Sequence, residues 1–502
     1  MLGHFGADIA PYRLRAVAAD GGQVRRGPGW GLVGGRGTAG GGVAVALAGR
    51  LDIRLPLLSR IEAAGGAVAD RNQAAVLKGA YEADGTGFAA RLDGSYAVAV
   101  VDTRAAPAVV LATDDAGTTP LYYHWDPGRE LLLFATAIPD LLALLPHRPA
   151  LWEPGPDAYL TVGAPLDGET LIDGVRSLPP GTTAVCTRAE GLRLIRRGTA
   201  LPGRPAPSTA AAQPAPPCVD CLPDTLRHLP DLLPALAWSL GQPDPDPAAL
   251  TSYALYASAH RAGLRSAPAA DTVDEIVRGR GRVEAADGGA ADGIARYVDT
   301  LGPVPARARF GLYSSDYRAY LADRGDTALR LTERLGEQAV RGTRRTALTG
   351  FELDVLLPAR GLRRTAHLSG AHEVRATLPG GPRRTWSAAT TAVPEWYRTA
   401  RRTTSARTLL AHDTALTGLV REVLSAERLR RAGMFDAGAV RRLLDAQLTH
   451  PCDRLAGTVW ALLMFELWRE EYAVTPHRTA RSAVLARTPA DLPALGHRTV
   501  AI

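Results

Sequence analysis

One lysine, Lys78, stands in 502 residues, which removes lysine chemistry, from Schiff bases to amine contacts with phosphates, from everything after it. The high Ala, Arg and Gly beside it is the signature of GC-rich coding DNA. Cysteine is scarce too. Four of them (Cys186, Cys218, Cys221 and Cys452) are too few to staple so long a chain, in keeping with a reducing compartment. No run approaches the roughly 20 apolar residues that cross a bilayer, and the start, MLGHFGADIAPYR, lacks the basic-then-apolar order of a signal peptide. The expected place is the cytoplasm, with no membrane partner. The net charge of +7 is carried by arginines scattered along the chain, with no run that interleaves them with aromatics, which argues against nucleic acid.

The length is that of two or three domains. The first part reads as β-rich: VAVALAGRL (43–51), SYAVAVVD (95–102) and AVVLATDD (108–115) are short apolar runs punctuated by Gly, Pro and Asp, with helical spacing in QAAVLKGAYEA (73–83). Strands around one or two helices predict a layered α/β domain over 1–198. The stretch TALPGRPAPSTAAAQPAPP (199–217) has nothing to bury and reads as a linker. From 218 to 478 the period changes to 3.6, as in LPDTLRHLPDLLPALAWSLG (222–241) and RLAGTVWALLMFELWREEY (454–472), so the second domain is mainly helical, with Trp238, Trp460 and Trp468 on its apolar faces. Residues 479–502 read as a tail.

Three stretches of the first domain, GRLDIRLPLLSRI (49–61), RLDGSYAVAVVD with LATDDAGTTPLYYHWD (91–126), and YLTVGAPLDGETLIDGVRSLPPG (159–181), resemble the class II glutaminase domain of the asparagine synthetase family. In the second, LPALAWSLGQPDPDPAALTSYALYASA (233–259), LPARGLRRTAHLSGAHEVRATLPGG (357–381) and LSAERLRRAGMFDAGAVRRLLDAQL (424–448) are similar to the synthetase half, as in β-lactam synthetases and lasso-peptide cyclases. The resemblance implies α+β and α/β architecture. An Ntn-type αββα glutaminase domain is followed by a truncated, mainly helical domain of the ATP-pyrophosphatase kind.

A class II glutaminase attacks glutamine with an N-terminal cysteine thiolate, its own α-amine serving as base. Where the family reads Met-Cys-Gly this chain reads Met1-Leu2-Gly3, and leucine has no nucleophile. A bulky second residue should also leave Met1 in place. The family's Asn-Gly, which steadies the oxyanion, falls on Ala48-Gly49, and the aspartate that holds the substrate ammonium falls on Gln73, or on Asp70 if the register slips.

The synthetase half of the family holds pyrophosphate in a Ser-Gly-Gly-x-Asp-Ser loop, and nothing here matches it. A second phosphate loop, Ser-Gly-x-Gly-x-Asp-Glu, falls on AADTVDE (269–275), without its glycines. Asp271, Asp274 and Glu275 are the residual candidates for cofactor binding, with Asp274 on Mg²⁺ if ATP binds. Glu373 in HEVR matches the family glutamate near the acyl site and is the candidate catalytic residue; its plainer reading is a helix-end carboxylate paired with Arg375 or another arginine. Upstream, Arg364 and His367 replace an acid and a small polar residue. Of the remaining signals, Gly29, Gly31 and Gly34 spell GxGxxG without a strand-to-helix context, and Cys218 and Cys221 form a CxxC with no second pair at zinc spacing.

The reading that follows is a non-catalytic relative with a disabled glutaminase site and a degraded ATP site, needing no cofactor. It is expected to partner an active paralogue or biosynthetic enzyme, to offer a groove for a peptide or acyl acceptor, or to form a homodimer. The alternative is a glutamine-independent, ATP- and Mg-dependent amide ligase. Lacking a Ser/His/Asp or Cys/His constellation, the sequence recommends no other chemistry.

Overall fold

The computed structural model describes residues 1–6, 14, 23–66, 72–145, 150–197, 226–288, 292–378, 386 and 395–473. Asp70, the linker, Cys218, Cys221 and the tail lie outside them. The described residues fall into two compact units, one drawn from Met1–Ala150 and Asp167–Arg204, the other from Leu151–Leu166 and Pro205–Thr475.

The first unit is built on two six-stranded antiparallel sheets. One holds β1 (Leu2–Phe5), β2 (Gln23–Gly27), β3 (Trp30–Gly34), β8 (Tyr122–Asp126), β9 (Leu131–Ala135) and β10 (Val175–Ser177) in the order β10-β8-β9-β1-β3-β2. The other holds β4 (Arg36–Gly40), β5 (Val43–Leu51), β6 (Gly94–Asp102), β7 (Ala108–Thr113), β11 (Thr182–Thr187) and β12 (Gly191–Arg196) in the order β12-β11-β7-β6-β5-β4. Alternation along β5 and β6 decides which layer each face meets. Val43, Val45, Leu47, Val98 and Val100 turn outward onto α1 (Leu55–Ala63) and α2 (Gln73–Asp84), where Leu58, Ile61, Leu77 and Tyr81 cover them. Ala44, Ala46, Ala97 and Ala99 turn inward against Phe5, Leu32, Leu132 and Phe134 of the other sheet. Small residues on one sheet face large ones on the other, the complementarity by which stacked sheets pack. A third helix, α3 (Ile138–Leu144), follows β9 and packs with β8 and β9. The GxGxxG glycines lie on the β2–β3 hairpin, where Gly29 takes the turn at φ 69, so no helix opens behind them.

The second unit is helical apart from one ribbon. Its first helix, α4 (Gly155–Val162), comes from within the span read as the first domain. Asp157 anchors it there. Its buried carboxylate takes the Tyr313 hydroxyl at 2.8 Å and the Thr327 amide at 2.7 Å, with Arg309 Nε at 3.2 Å. There follow α5 (Leu229–Ser239), α6 (Ala248–Arg261), β13 (Ser266–Pro268), α7 (Ala270–Asp287), α8 (Gly293–Asp299), α9 (Ala306–Leu312), α10 (Ser315–Arg324), α11 (Thr327–Arg341), α12 (Arg344–Phe351), a widened helical stretch over 352–362, α13 (Arg363–Ala371) and β14 (Arg375–Thr377). The last six helices are α14 (Glu395–Thr403), α15 (Ala406–His412), α16 (Thr414–Val423), α17 (Ala426–Ala432), α18 (Ala437–Thr449) and α19 (Asp453–Ala473). Trp238, Trp460 and Trp468 are core residues; the Trp468 indole donates to the Gly241 carbonyl at 3.0 Å and Trp238 stacks on Tyr472. Among the described residues no helix is long and apolar enough to cross a membrane.

Candidate functional site

In the first unit the start of β1 lies between β3 and β9, with Leu2 opposite Val33 on one side and Ala135 on the other. Alternation puts Met1, Gly3 and Phe5 on the face toward the second sheet and Leu2 and His4 on the other. A Cβ on Gly3 would run into the Phe134 ring, so the strand sits tight on the inner core there. Burial lowers the pKa of the Met1 α-amine, against the opposing pull of Asp140, and Thr136 Oγ1 holds it at 3.1 Å. Burial also pushes the Asp140 carboxyl up to about 6. LGHF itself carries no thiol or hydroxyl.

The end of β5 supplies the second wall. Ala48 packs against the same inner cluster that Met1 and Phe5 meet, whereas Leu2 turns to the opposite face of β1, and Ala48 carries only a methyl. Gly49 keeps φ 85, and a Cβ there would run into the Ser95 carbonyl. The glycine of the pair is thus required by the backbone whatever happens to the chemistry. Gln73, the first residue of α2, spends its amide on the end of β5. It donates to the Leu51 carbonyl at 3.2 Å and accepts from the Leu51 amide at 3.4 Å.

In the second unit Asp271, Asp274 and Glu275 occupy the first two turns of α7, not an open loop. Glycine is absent and Ala270, Thr272 and Val273 continue the helix. All three carboxylates face guanidinium groups. Arg364, 1% exposed, donates to Asp244 Oδ1 at 3.0 Å, to Asp271 Oδ2 at 3.1 Å and to Glu275 Oε2 at 3.3 Å. Arg360 reaches Glu275 Oε1 at 3.0 Å, and Arg278 and Arg401 both meet Asp246 and Asp274. The Thr365 hydroxyl adds a bond to Asp271 Oδ1 at 2.9 Å. Arg363, one residue before Arg364 and so about 100° away around the helix, points instead at the carbonyls of Leu240 and Gln242, at 2.9 and 3.2 Å. Arg360 comes from the widened stretch, where the Leu357 amide bonds the Glu352 carbonyl five residues back.

Burial alone would raise the pKa of Asp246, yet Arg401, Arg278 and Arg364 outweigh it and hold the carboxyl well below its ordinary range. Burial likewise opposes Arg360, Arg278 and Arg364 at Glu275, which ends at about 2. Unfolded carboxylates titrate near 4, so these groups stabilise the fold fully above about pH 4.5, and that contribution drains away as pH falls towards about 2. Thermal melts between pH 7 and pH 2.5 should therefore show a flat melting temperature down to about pH 4.5 and a steep fall below it.

Glu373 stands apart. It is exposed, at φ 55, and closes α13: its amide bonds Gly370 O at 3.1 Å and the Val374 amide bonds Ser369 O at 2.9 Å. This is the glycine position of a helix-ending turn, held here by glutamate. β13 and β14 run parallel, Ser266 beside Arg375 and Pro268 beside Thr377. Glu373 precedes that ribbon and Asp271 follows it, so the two lie at its opposite ends. Burial pushes the His367 imidazole down to about 3 and that of His372 to about 4, which makes both neutral near pH 7.

Sequence reasoning missed Asp244, Asp246, Arg278, Arg360 and Arg401. Two signals were available, the QPDPDP run and the Asp274–Arg278 spacing of four. The three carboxylates of α7 do not fit Mg²⁺ with a nucleotide, because their oxygens already face guanidinium nitrogens and no glycine lets backbone amides reach a phosphate. Among the described residues no group of three or more His, Cys, Asp or Glu side chains is placed to hold a metal.

Residues 42–194 match the family model of a glutamine amidotransferase domain. That span runs from β5 into β12, so the first unit carries a glutamine amidotransferase-type domain, and the match begins after β1. No curated protein matches the chain. Among solved structures, the glutamine phosphoribosylpyrophosphate amidotransferase of B. subtilis complexed with ADP and GMP is similar at 15% identity and a TM-score of 0.27, over 47% of this chain and 57% of that one. A structure described as the allosteric regulatory enzyme of purine biosynthesis is similar at 17% identity and a TM-score of 0.26, over 45% and 57%. This chain thus spans less than two thirds of either.

Proposed function

We propose that this chain is a non-catalytic relative of the asparagine synthetases. It serves as a partner or scaffold for an amide- or peptide-bond-forming enzyme in natural-product biosynthesis. The observation that carries the reading is the replacement of the residues that the resemblance assigns to glutamine chemistry. The resemblance puts Leu2 at the nucleophile and Ala48 at the oxyanion position, and Gln73, at the ammonium-holding position, is tied to Leu51. A reacting amide carbon would find no attacking atom and no donor from these residues. Retention of a full double-layered core without that chemistry supports a domain kept for its surface. The closed acid–arginine cluster of the second unit supports the same reading.

Mass photometry of the purified chain, mixed in turn with amide- and peptide-bond-forming enzymes of the same organism, tests the proposal. A complex with one of them at submicromolar concentration is expected. Only separate species in every mixture would defeat it. The rival, a glutamine-independent ligase, would instead bind Mg-ATP saturably by calorimetry.

A further inference from the structure

Asp246 and Asp274 share the same two counter-ions. Arg278 places Nη2 3.1 Å from Asp246 Oδ2 and Nε 3.1 Å from Asp274 Oδ2. Arg401 places Nη2 3.2 Å from Asp246 Oδ2 and Nη1 2.8 Å from Asp274 Oδ2. Both carboxylate side chains are 13% exposed, against 33% and 27% for the two arginines, whereas Arg364 beside them is 1% exposed. The square therefore forms the outer rim of the buried cluster. Two converging carboxylates repel unless positive charge stands between them, and a divalent cation is one ordinary solution. Here two guanidiniums bring the same total charge. Arg278 lies one turn along α7 from Asp274, and Arg401 arrives on α14, whose Tyr397 packs on Ala270 and Ala400 on Ala254. The second arginine is thus delivered by helix packing, not left to a free surface side chain.

We infer that Arg278 and Arg401 are the permanent counter-ions of the Asp246–Asp274 pair, standing where a divalent cation would have to sit and closing the acidic centre with side chains alone. The inference rests on the proposed kinship only for the identity of the group displaced. A divalent ion approaching Asp274 would have to part these contacts while two positive charges stood within a few ångströms of it.

Thermal-shift titration of the whole chain with MgCl₂, MnCl₂ and Mg-ATP tests this. The unaltered chain should show no saturable shift with any of the three. The R278Q/R401Q variant should melt lower, and millimolar Mn²⁺ should recover part of the loss through the two freed carboxylates. The D246N/D274N/R278Q/R401Q variant, which removes both signs of charge, should keep its fold and lose the Mn²⁺ response. A saturable Mg²⁺ shift in the unaltered chain that D246N/D274N abolishes would overturn the inference. So would an R278Q/R401Q variant that melts like the unaltered chain, or one that folds and that Mn²⁺ does not recover. Should the double variant not fold, the Mg²⁺ response of the unaltered chain decides alone. None of these results touches Leu2 or Ala48, so failure here leaves the glutamine-site reading standing, and failure of that reading leaves this one.

Discussion

Arg364→Met is expected to destabilise the protein by about 3–5 kcal/mol, the range for removing one partner from a buried ionic network. The Arg364 guanidinium is 1% exposed and lies within 4 Å of four carboxylates, those of Asp244, Asp246, Asp271 and Glu275. Three of the four keep another arginine when it goes: Arg363 at Asp244, Arg278 and Arg401 at Asp246, Arg360 at Glu275. Among the described residues, Asp271 keeps the Thr365 hydroxyl at 2.9 Å but no second arginine within 4 Å. Methionine fills the volume but leaves that carboxylate buried and uncompensated. Urea unfolding at pH 7 measures the loss. Arg428→Met, which touches the partly exposed Glu422 and Glu470, should cost no more than about 1 kcal/mol by the same measurement.

Much of the first unit was legible because its strands obey a period of two and its turns carry glycine. VAVALAGRL is β5 almost to the residue, and QAAVLKGAYEA is α2. The helical character of the second unit was legible for the same reason at a period of 3.6. What the sequence hid is the excursion of α4 into the second unit, since nothing in PGPDAYLTV announces that Asp157 will meet Arg309 and Thr327 some 150 residues later. The acidic cluster was half legible. AADTVDE drew attention to Asp271, Asp274 and Glu275 by resemblance, but their fate depends on Arg360, Arg364 and Arg401, which only the packing of α7 with the widened stretch 352–362, α13 and α14 brings to them. Burial decided the rest: an arginine in sequence reads as a solvated charge, and here several are core residues.

The second large effect concerns glutamine. In hydrolases that use an activated nucleophile, its loss lowers turnover by on the order of 10⁶-fold. On the proposed reading Leu2 replaces that group, and Ala48 withdraws a donor whose loss alone is worth about 10²–10³-fold. Restoring one part should not restore the reaction. In the Leu2→Cys variant the thiol would stand on the side of β1 that faces away from the Met1 and Ala48 cluster, with no donor at Ala48 and with Gln73 still bound to Leu51. The most direct measurement is the release of glutamate and ammonia from glutamine by the purified chain, followed over hours at micromolar protein beside a buffer control. The account predicts a rate indistinguishable from buffer, for the unaltered chain and for Leu2→Cys alike. Saturable glutamate release by the unaltered chain, diminished when glutamine analogues compete, would contradict it.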